Sequence, residues 1–423
     1  MIKKLSKNFL FFTFGEGFSH IIGFVANAYI ARILNVEGFG LINYCLAYLT
    51  YFLLFSNMGL TTLGVREVAK NTSNKRIIGE IVFTRLILTF ILFSLFTIFT
   101  TLFLGNPLTR KIIMLYLLTA FPNALYLEFV FQAREEMEFI GAGRIIQYSI
   151  YFILIFILLK SREDLIYIPI SFFCANLLSS LFLLLIFIKK YGILPISPAN
   201  SYQTLVNALP IGFATIVYQA GINFPPIWLG IIHKEDDVGL FSASFKIILL
   251  LLIVERIFYY LFFPIFSQQA NQGSTRLKKM FTFFSQLGFA ITIFITSIGI
   301  LFSKKILVMI YGSSFAPAQW ILIILFFYFL LAPMNTIWGY GLVALNYEKK
   351  FFKVVTITAI SNLILSILLG YFFKGIGTAL AIFFSEFLGL LLMKKELNAI
   401  VKFSLLTIPS RDIIKEILLN KKL

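Results

Sequence analysis

Glu16, His20, Gly23 and Asn27 follow one another at spacings of four, three and four residues, which places them along one face of a helix. A second set, Gly212, Thr215, Gln219, Asn223 and Pro226, has the same character, and an offset of 199 residues superposes His20 on Gln219 and Glu16 on Thr215. A carboxylate and an imidazole four residues apart can exchange a proton, and side-chain amides can bond hydroxyl groups. Both stripes sit in otherwise apolar sequence, so two uses stay open. They either face a water-accessible space, because ionisable groups facing lipid are costly, or bond between helices in dry packing. Pro225 and Pro226 predict a break or bend in the second of these helices.

A smaller group of cations suits a different chemistry. Lys246 and Arg256 are ten residues apart on one apolar stretch, so a helix turns them only about 80° from each other, close enough to border one groove. Arg32 and Arg85 lie at the ends of other apolar stretches, where snorkelling is a sufficient alternative. The acids in such stretches are Glu16, Glu128, Glu255 and Glu386. A cavity with this balance suits an anionic guest, and the arginine fork suits phosphate oxygens. Pairing of Glu128 or Glu386 with one of these cations is an equally good structural use.

The elements that must position these residues are membrane helices. Hydrophobic residues make up 59% of the 423, charged residues 13%, and there are 51 phenylalanines, a composition foreign to soluble domains. Apolar stretches of roughly 20 residues fall at 9–33, 41–62, 80–104, 112–132, 144–159, 165–188, 204–232, 239–263, 281–302, 317–343, 354–373 and 375–393. The fold class is therefore an all-α polytopic membrane protein of about twelve spans. Placing loops alternately from a cytoplasmic N-terminus gives 24 Lys and Arg on that side against 8 on the other, so both termini are expected in the cytoplasm. This topology and contact with anionic lipid account for the net +17, and no nucleic-acid partner is expected. The first span carries no small-residue cleavage pattern and is expected to be retained.

Other classes have little support. The loops leave no room for a soluble catalytic domain, and no phosphate-cradling GxxxxGK[ST] segment occurs. Two cysteines and two histidines cannot build a Cys/His metal cluster, so no metal or cofactor is expected. The acidic groups Glu135-Glu136-Glu138 and Glu235-Asp236-Asp237 fit solvated loops better than a catalytic pair. The chain is expected to be a carrier and not an enzyme.

A short motif recurs across the two halves. Glu37-Gly38-Phe39-Gly40-Leu41 follows the first span and Asp236-Asp237-Val238-Gly239-Leu240 the seventh, again 199 residues apart. In each, an acid precedes a helix whose dipole it complements, and glycine permits a tight turn. Two six-helix lobes follow, 1–190 and 204–395, joined by a linker at 191–203. A basic tail, 396–423, could form an amphipathic helix on the inner leaflet or stay disordered.

These segments also carry a family resemblance. Ala31 to Tyr44, "ARILNVEGFGLINY", resembles the "ARxLGxxxYGxxxY" signature of polysaccharide exporters and O-antigen flippases of the Wzx type, in the multidrug/oligosaccharidyl-lipid/polysaccharide superfamily. Gly59-Leu60 with Gly64-Val65-Arg66-Glu67-Val68-Ala69 resembles its "GLxxxGxREIA". Phe131 to Met137, and Leu229-Gly230 with Val238 to Phe241, agree as well. Asn35 stands where the family usually has glycine, Phe39 where it has tyrosine, and "NFPPIWLG" lacks an aspartate that many members carry.

The resemblance implies two six-helix lobes that alternate access and move an undecaprenyl-diphosphate-linked oligosaccharide across the bacterial cytoplasmic membrane. Lys246, Arg256 and Arg32 would then form a cationic lumen for the diphosphate. Glu16, His20, Asn27, Gln219 and Asn223 would line the sugar path, with Pro225 and Pro226 as a helix break. Gly38, Gly40 and Gly239 would belong to the outer gate, and Arg66 and Glu67 to the cytoplasmic end. Implied partners are membrane lipids, a polysaccharide polymerase and chain-length proteins. A multidrug extruder of the same superfamily, or a membrane-embedded polymerase or glycosyltransferase, are the alternatives.

Overall fold

The structure is a computed structural model that describes residues 2–71, 74–195, 197–253, 255, 266 and 274–401. The helices are α1 (Ile2–Asn57), α2 (Leu60–Lys70), α3 (Lys75–Phe103), α4 (Pro107–Leu117), α5 (Ala120–Ala124), α6 (Glu128–Ala133), α7 (Met137–Leu158), α8 (Tyr167–Tyr191), α9 (Ser201–Ile232), α10 (Glu235–Leu251), α11 (Ser274–Leu301), α12 (Ser303–Tyr311), α13 (Gln319–Ala344) and α14 (Glu348–Val401). No strand occurs among the described residues.

Among the described residues, eight helical stretches are long and apolar enough to cross a membrane. Two of them, Gly15–Asn57 and Glu348–Val401, at 43 and 54 residues, are far longer than a bilayer's hydrocarbon thickness requires. Each is interrupted by one non-helical residue, Asn35 (φ 56°, ψ −167°) in α1 and Lys374 (φ 55°, ψ −136°) in α14, and so supplies two spans. That makes ten spans among the described residues, and α9 and α10 lie where the seventh and eighth spans are expected from hydropathy. The fifth span begins at Met137 and not at 144, because Glu138 and Arg144 dilute the apolar signal over its first two turns. The tail beyond Val401 lies outside the described residues.

Two compact units result. The first comprises Met1–Ser242 with Ile310–Ser314, the second Ala243–Met309 with Phe315–Leu423. This division falls inside α10 and not at the expected linker, 191–203. The reason is that α9 packs on the helices before it: a Cβ on Gly212 would lie 2.5 Å from the Met58 carbonyl carbon. Thr204 at the start of α9 also donates to Glu80 on α3 at 3.3 Å.

Within the first unit, Leu60, Val68, Ile78, Phe129, Phe131 and Phe187 form a dry core. Phe90, Leu95 and Leu102 on α3 point outward, as lipid-facing side chains must when water is not the solvent. In the second unit Phe266 stacks on Phe281 at 4.2 Å beside Trp338, whose indole donates to Ser285 at 2.8 Å. The indole can be buried there because its single donor is satisfied.

Candidate functional site

A polar cavity of about 310 Å³ opens in the first unit. Close approach of α1 and α7 forms one wall. A Cβ on Gly15 would sit 2.8 Å from Gly141 Cα, and one on Gly23 2.9 Å from the Tyr148 ring, so only glycine allows this packing. The opposite wall is the interrupted fourth span, where the chain passes from α4 through α5 to α6. Arg85, buried on α3, secures that interruption. Its guanidinium donates to the Asn123 carbonyl at 2.6 Å, to Asn123 Oδ1 at 3.0 Å and to the Tyr126 carbonyl at 3.3 Å. Snorkelling is therefore not what Arg85 does. It satisfies backbone carbonyls that a broken helix leaves open, and thereby places Asn123 and Tyr126 on the cavity wall.

The cavity is organised by Arg144 on α7. Its guanidinium lies 2.8 Å from Glu16 on α1 and 2.8 Å from Glu128 on α6. His20, one turn after Glu16, is 3.6 Å from the same carboxylate. Gln147, three residues after Arg144, donates to Asn176 on α8 at 2.9 Å. Tyr126 and Tyr148 complete the lining.

The predicted stripe is thus divided. Glu16 and His20 face the cavity. Gly23 is a packing contact, and Asn27 turns back to its own helix, donating to the Gly23 carbonyl at 2.7 Å. In α9, Gln219 is half-buried, while the side chain of Asn223 lies outside what is described. Helix α9 runs from Ser201 to Ile232 through Pro225 and Pro226, so no break occurs there. The prolines remove two successive N–H donors, yet the turns on either side continue the helix. Arg144 was masked in the sequence by its position among charges at a span boundary. Its signal was the spacing with Gln147, Tyr148 and Tyr151, one polar face on an otherwise apolar helix.

The predicted cations have different local surroundings. Arg32 is exposed and donates to the Ile310 carbonyl at 2.9 Å, near the end of α12, where a cation complements the helix dipole. Lys246 is half-buried on α10 and has no ion pair or hydrogen bond among the described residues. Arg256 lies outside the described residues. A separate polar group occupies the second unit, where Thr336 donates to Glu255 and Asn335 Nδ2 donates to Glu386 at 2.6 Å. No group of three or more metal-ligating side chains occurs among the described residues.

The two repeated turns meet. A Cβ on Gly40 would lie 1.8 Å from the Glu235 carbonyl oxygen, and one on Gly239 would lie 2.2 Å from the Val36 carbonyl oxygen. A Cβ on Gly38 would instead meet its own preceding turn, 2.9 Å from Leu34 Cβ. The acids Glu235, Asp236 and Asp237 occupy the first turn of α10, the position in which they complement its dipole. On α2, Glu67 accepts from Lys70 at 3.0 Å and from Arg66 at 2.9 Å. The Lys70 bond, then that of Arg66, hold its carboxyl below the ordinary carboxylate range.

Comparison with known proteins places this architecture. A family profile described as "Polysaccharide biosynthesis protein" matches residues 5–270. A "Putative O-antigen transporter" of Escherichia coli (strain K12) is 24% identical over 398 residues, covering 90% of this chain and 94% of the relative. The lipid II flippase MurJ in an inward closed conformation superposes with a TM-score of 0.75 at 16% identity, covering 97% of this chain and 90% of that one. An inward-facing multidrug resistance MATE transporter of the MOP superfamily gives 0.72 at 14% identity, covering 91% and 96%. The fold is that of this superfamily: a multi-pass, all-α membrane protein with about twelve transmembrane helices in two lobes.

Proposed function

The chain belongs to the polysaccharide biosynthesis protein family, and from that premise we propose that it is a flippase for undecaprenyl-diphosphate-linked oligosaccharide repeat units. It carries them across the bacterial cytoplasmic membrane by alternating access and performs no covalent chemistry. The observation that carries this reading is Lys246, a half-buried lysine on a membrane helix with no protein counter-charge among the described residues. A cation so placed calls for an anion or water, since leaving it uncompensated in hydrocarbon costs about 3 kcal/mol or more. The diphosphate of a lipid-linked precursor supplies that anion. Arg256 and Arg32 add to the attraction as the headgroup enters.

Sugar hydroxyls then contact the polar side chains of Glu16, His20, Asn27, Gln219 and Asn223, while the lipid tail stays in the bilayer. The turns holding Gly38, Gly40 and Gly239 act as the outer gate. Both termini are cytoplasmic, with Arg66 and Glu67 at that end of the path. Membrane lipids surround the protein, and the polymerase and chain-length proteins that use its product are its expected partners.

A second reading has one observation in its favour. Glu255 and Glu386 place two acids among the membrane helices of the second unit, as an extruder of organic cations would require. Vesicles loaded with both a lipophilic cation and a fluorescent polyprenyl-diphosphate glycan separate the two. Protein-dependent movement of the glycan alone supports the flippase. Movement of the cation alone sinks it, and a covalently altered glycan would mean an enzyme.

A further inference from the structure

The cavity of the first unit has a chemistry distinct from that of a phosphate site. Arg144, its one guanidinium, is engaged by two carboxylates, each at 2.8 Å. Arg85, the nearest second guanidinium, lies behind Asn123, held to its carbonyl at 2.6 Å and to its Oδ1 at 3.0 Å, and is not part of the lining. A phosphate entering it would find the guanidinium occupied and carboxylate oxygens on either side.

What the cavity offers is a set of planar groups that bond hydroxyls in pairs. Carboxylates accept two hydrogen bonds, and the amides of Asn123, Gln147 and Asn176 each donate and accept. Two of these amides already orient each other through the Gln147 to Asn176 bond of 2.9 Å, and Asn123 is fixed by Arg85 at 3.0 Å. The groups are thus held in place before a guest arrives, which limits what binding must order. Tyr148 adds a flat apolar face of the kind that covers the C–H side of a sugar ring. At about 310 Å³ the space is at the small end of ligand pockets, fit for one ring and not for an oligosaccharide.

We propose that this cavity is a monosaccharide subsite, selective for an uncharged pyranose with hydroxyl or acetamido substituents and closed to acidic sugars. It deepens the flippase reading and rests on it for the source of the guest, a single residue of the glycan headgroup. The site would separate recognition of sugar from recognition of diphosphate. Precursors whose corresponding residue is a uronate would be discriminated against by charge, not by size.

Ligand-observed NMR on the full chain in nanodiscs tests this without transport, with methyl glycosides of an N-acetylhexosamine and of a hexuronate as probes. The expected result is saturation transfer to the neutral glycoside, at least tenfold weaker transfer to the uronate, and loss of the signal in Gln147→Ala and Asn176→Ala. Glu128→Gln, which removes one carboxylate from the lining and frees part of the Arg144 guanidinium from its ion pair, should let the uronate bind. Absence of binding by either glycoside, equal binding of both, or binding unaffected by Gln147→Ala and Asn176→Ala overturns the subsite. Vesicle translocation run in parallel keeps the two ideas apart. Selective glycoside binding with no glycan movement would sink the flippase and leave the subsite standing.

Discussion

Replacing Gly40 by alanine addresses the meeting of the two repeated turns. The new methyl group would sit 1.8 Å from the Glu235 carbonyl oxygen and 2.9 Å from the Gly239 backbone nitrogen. Ordinary contact needs about 3.5 Å, so the start of α10 must retreat by roughly 1.5 Å. Both obstacles are backbone atoms, and no side-chain rotation relieves them. Overpacking of this kind costs about 1–3 kcal/mol, and the upper end applies here because helix termini and not rotamers must move. If the contact is part of a gate, the same penalty falls only on the state in which the turns touch, and it shifts the balance about tenfold for each 1.4 kcal/mol. Thermal unfolding in detergent reads the first effect and vesicle translocation the second. Gly17→Ala is the internal control: it lies in α1 with nothing within 4 Å of its added Cβ. Better helix propensity should leave that variant unchanged or stabilise it by up to about 1 kcal/mol. Equal melting temperatures for Gly40→Ala and the parent protein would refute the packing argument, and unchanged translocation would remove Gly40 from the gate.

Other outcomes follow from the same geometry. Arg144→Ala leaves Glu16 and Glu128 facing each other without their shared cation and should lower stability by up to about 3 kcal/mol in thermal unfolding, with partial recovery when Glu128→Gln is added. Arg85→Lys loses a fork that serves two carbonyls and a side chain, so it should lower the melting temperature by the equivalent of about 1–3 kcal/mol and weaken glycoside binding through the displaced wall. Asn35→Gly and Lys374→Gly relieve backbone conformations close to those only glycine adopts freely, and each should raise stability by up to about 1–3 kcal/mol in the same assay.

Those last two positions show where sequence reasoning worked and where it stopped. Twelve spans were legible because bilayer thickness imposes a length on apolar runs that no other constraint erases. The joints were not. Asn35 and Lys374 each interrupt a helix with a single residue at positive φ, and hydropathy contains no term for that. Asn35 stands at φ 56° and ψ −167°, a conformation that favours glycine, the residue at this place in the signature the sequence resembles. The polar face of α1 was also legible, since Glu16 and His20 can be placed by spacing alone. Their partner Arg144 was not, because ion pairs between helices far apart in sequence leave no local periodicity. Pro225 and Pro226 gave a strong local signal for a break or a bend, and α9 continues through them without a break.

Translocation of a lipid-linked glycan with Lys246 holding the diphosphate, as proposed above, can be measured in one assay. The direct measurement is reconstitution of the parent protein and of Lys246→Ala in proteoliposomes with a fluorescent undecaprenyl-diphosphate oligosaccharide, scoring exposure to an impermeant quencher. The expected result is protein-dependent exposure that falls at least tenfold in Lys246→Ala, with the variant's melting temperature retained. Undiminished exposure in Lys246→Ala would contradict the role of that lysine, and no exposure with the parent protein would contradict the flippase itself.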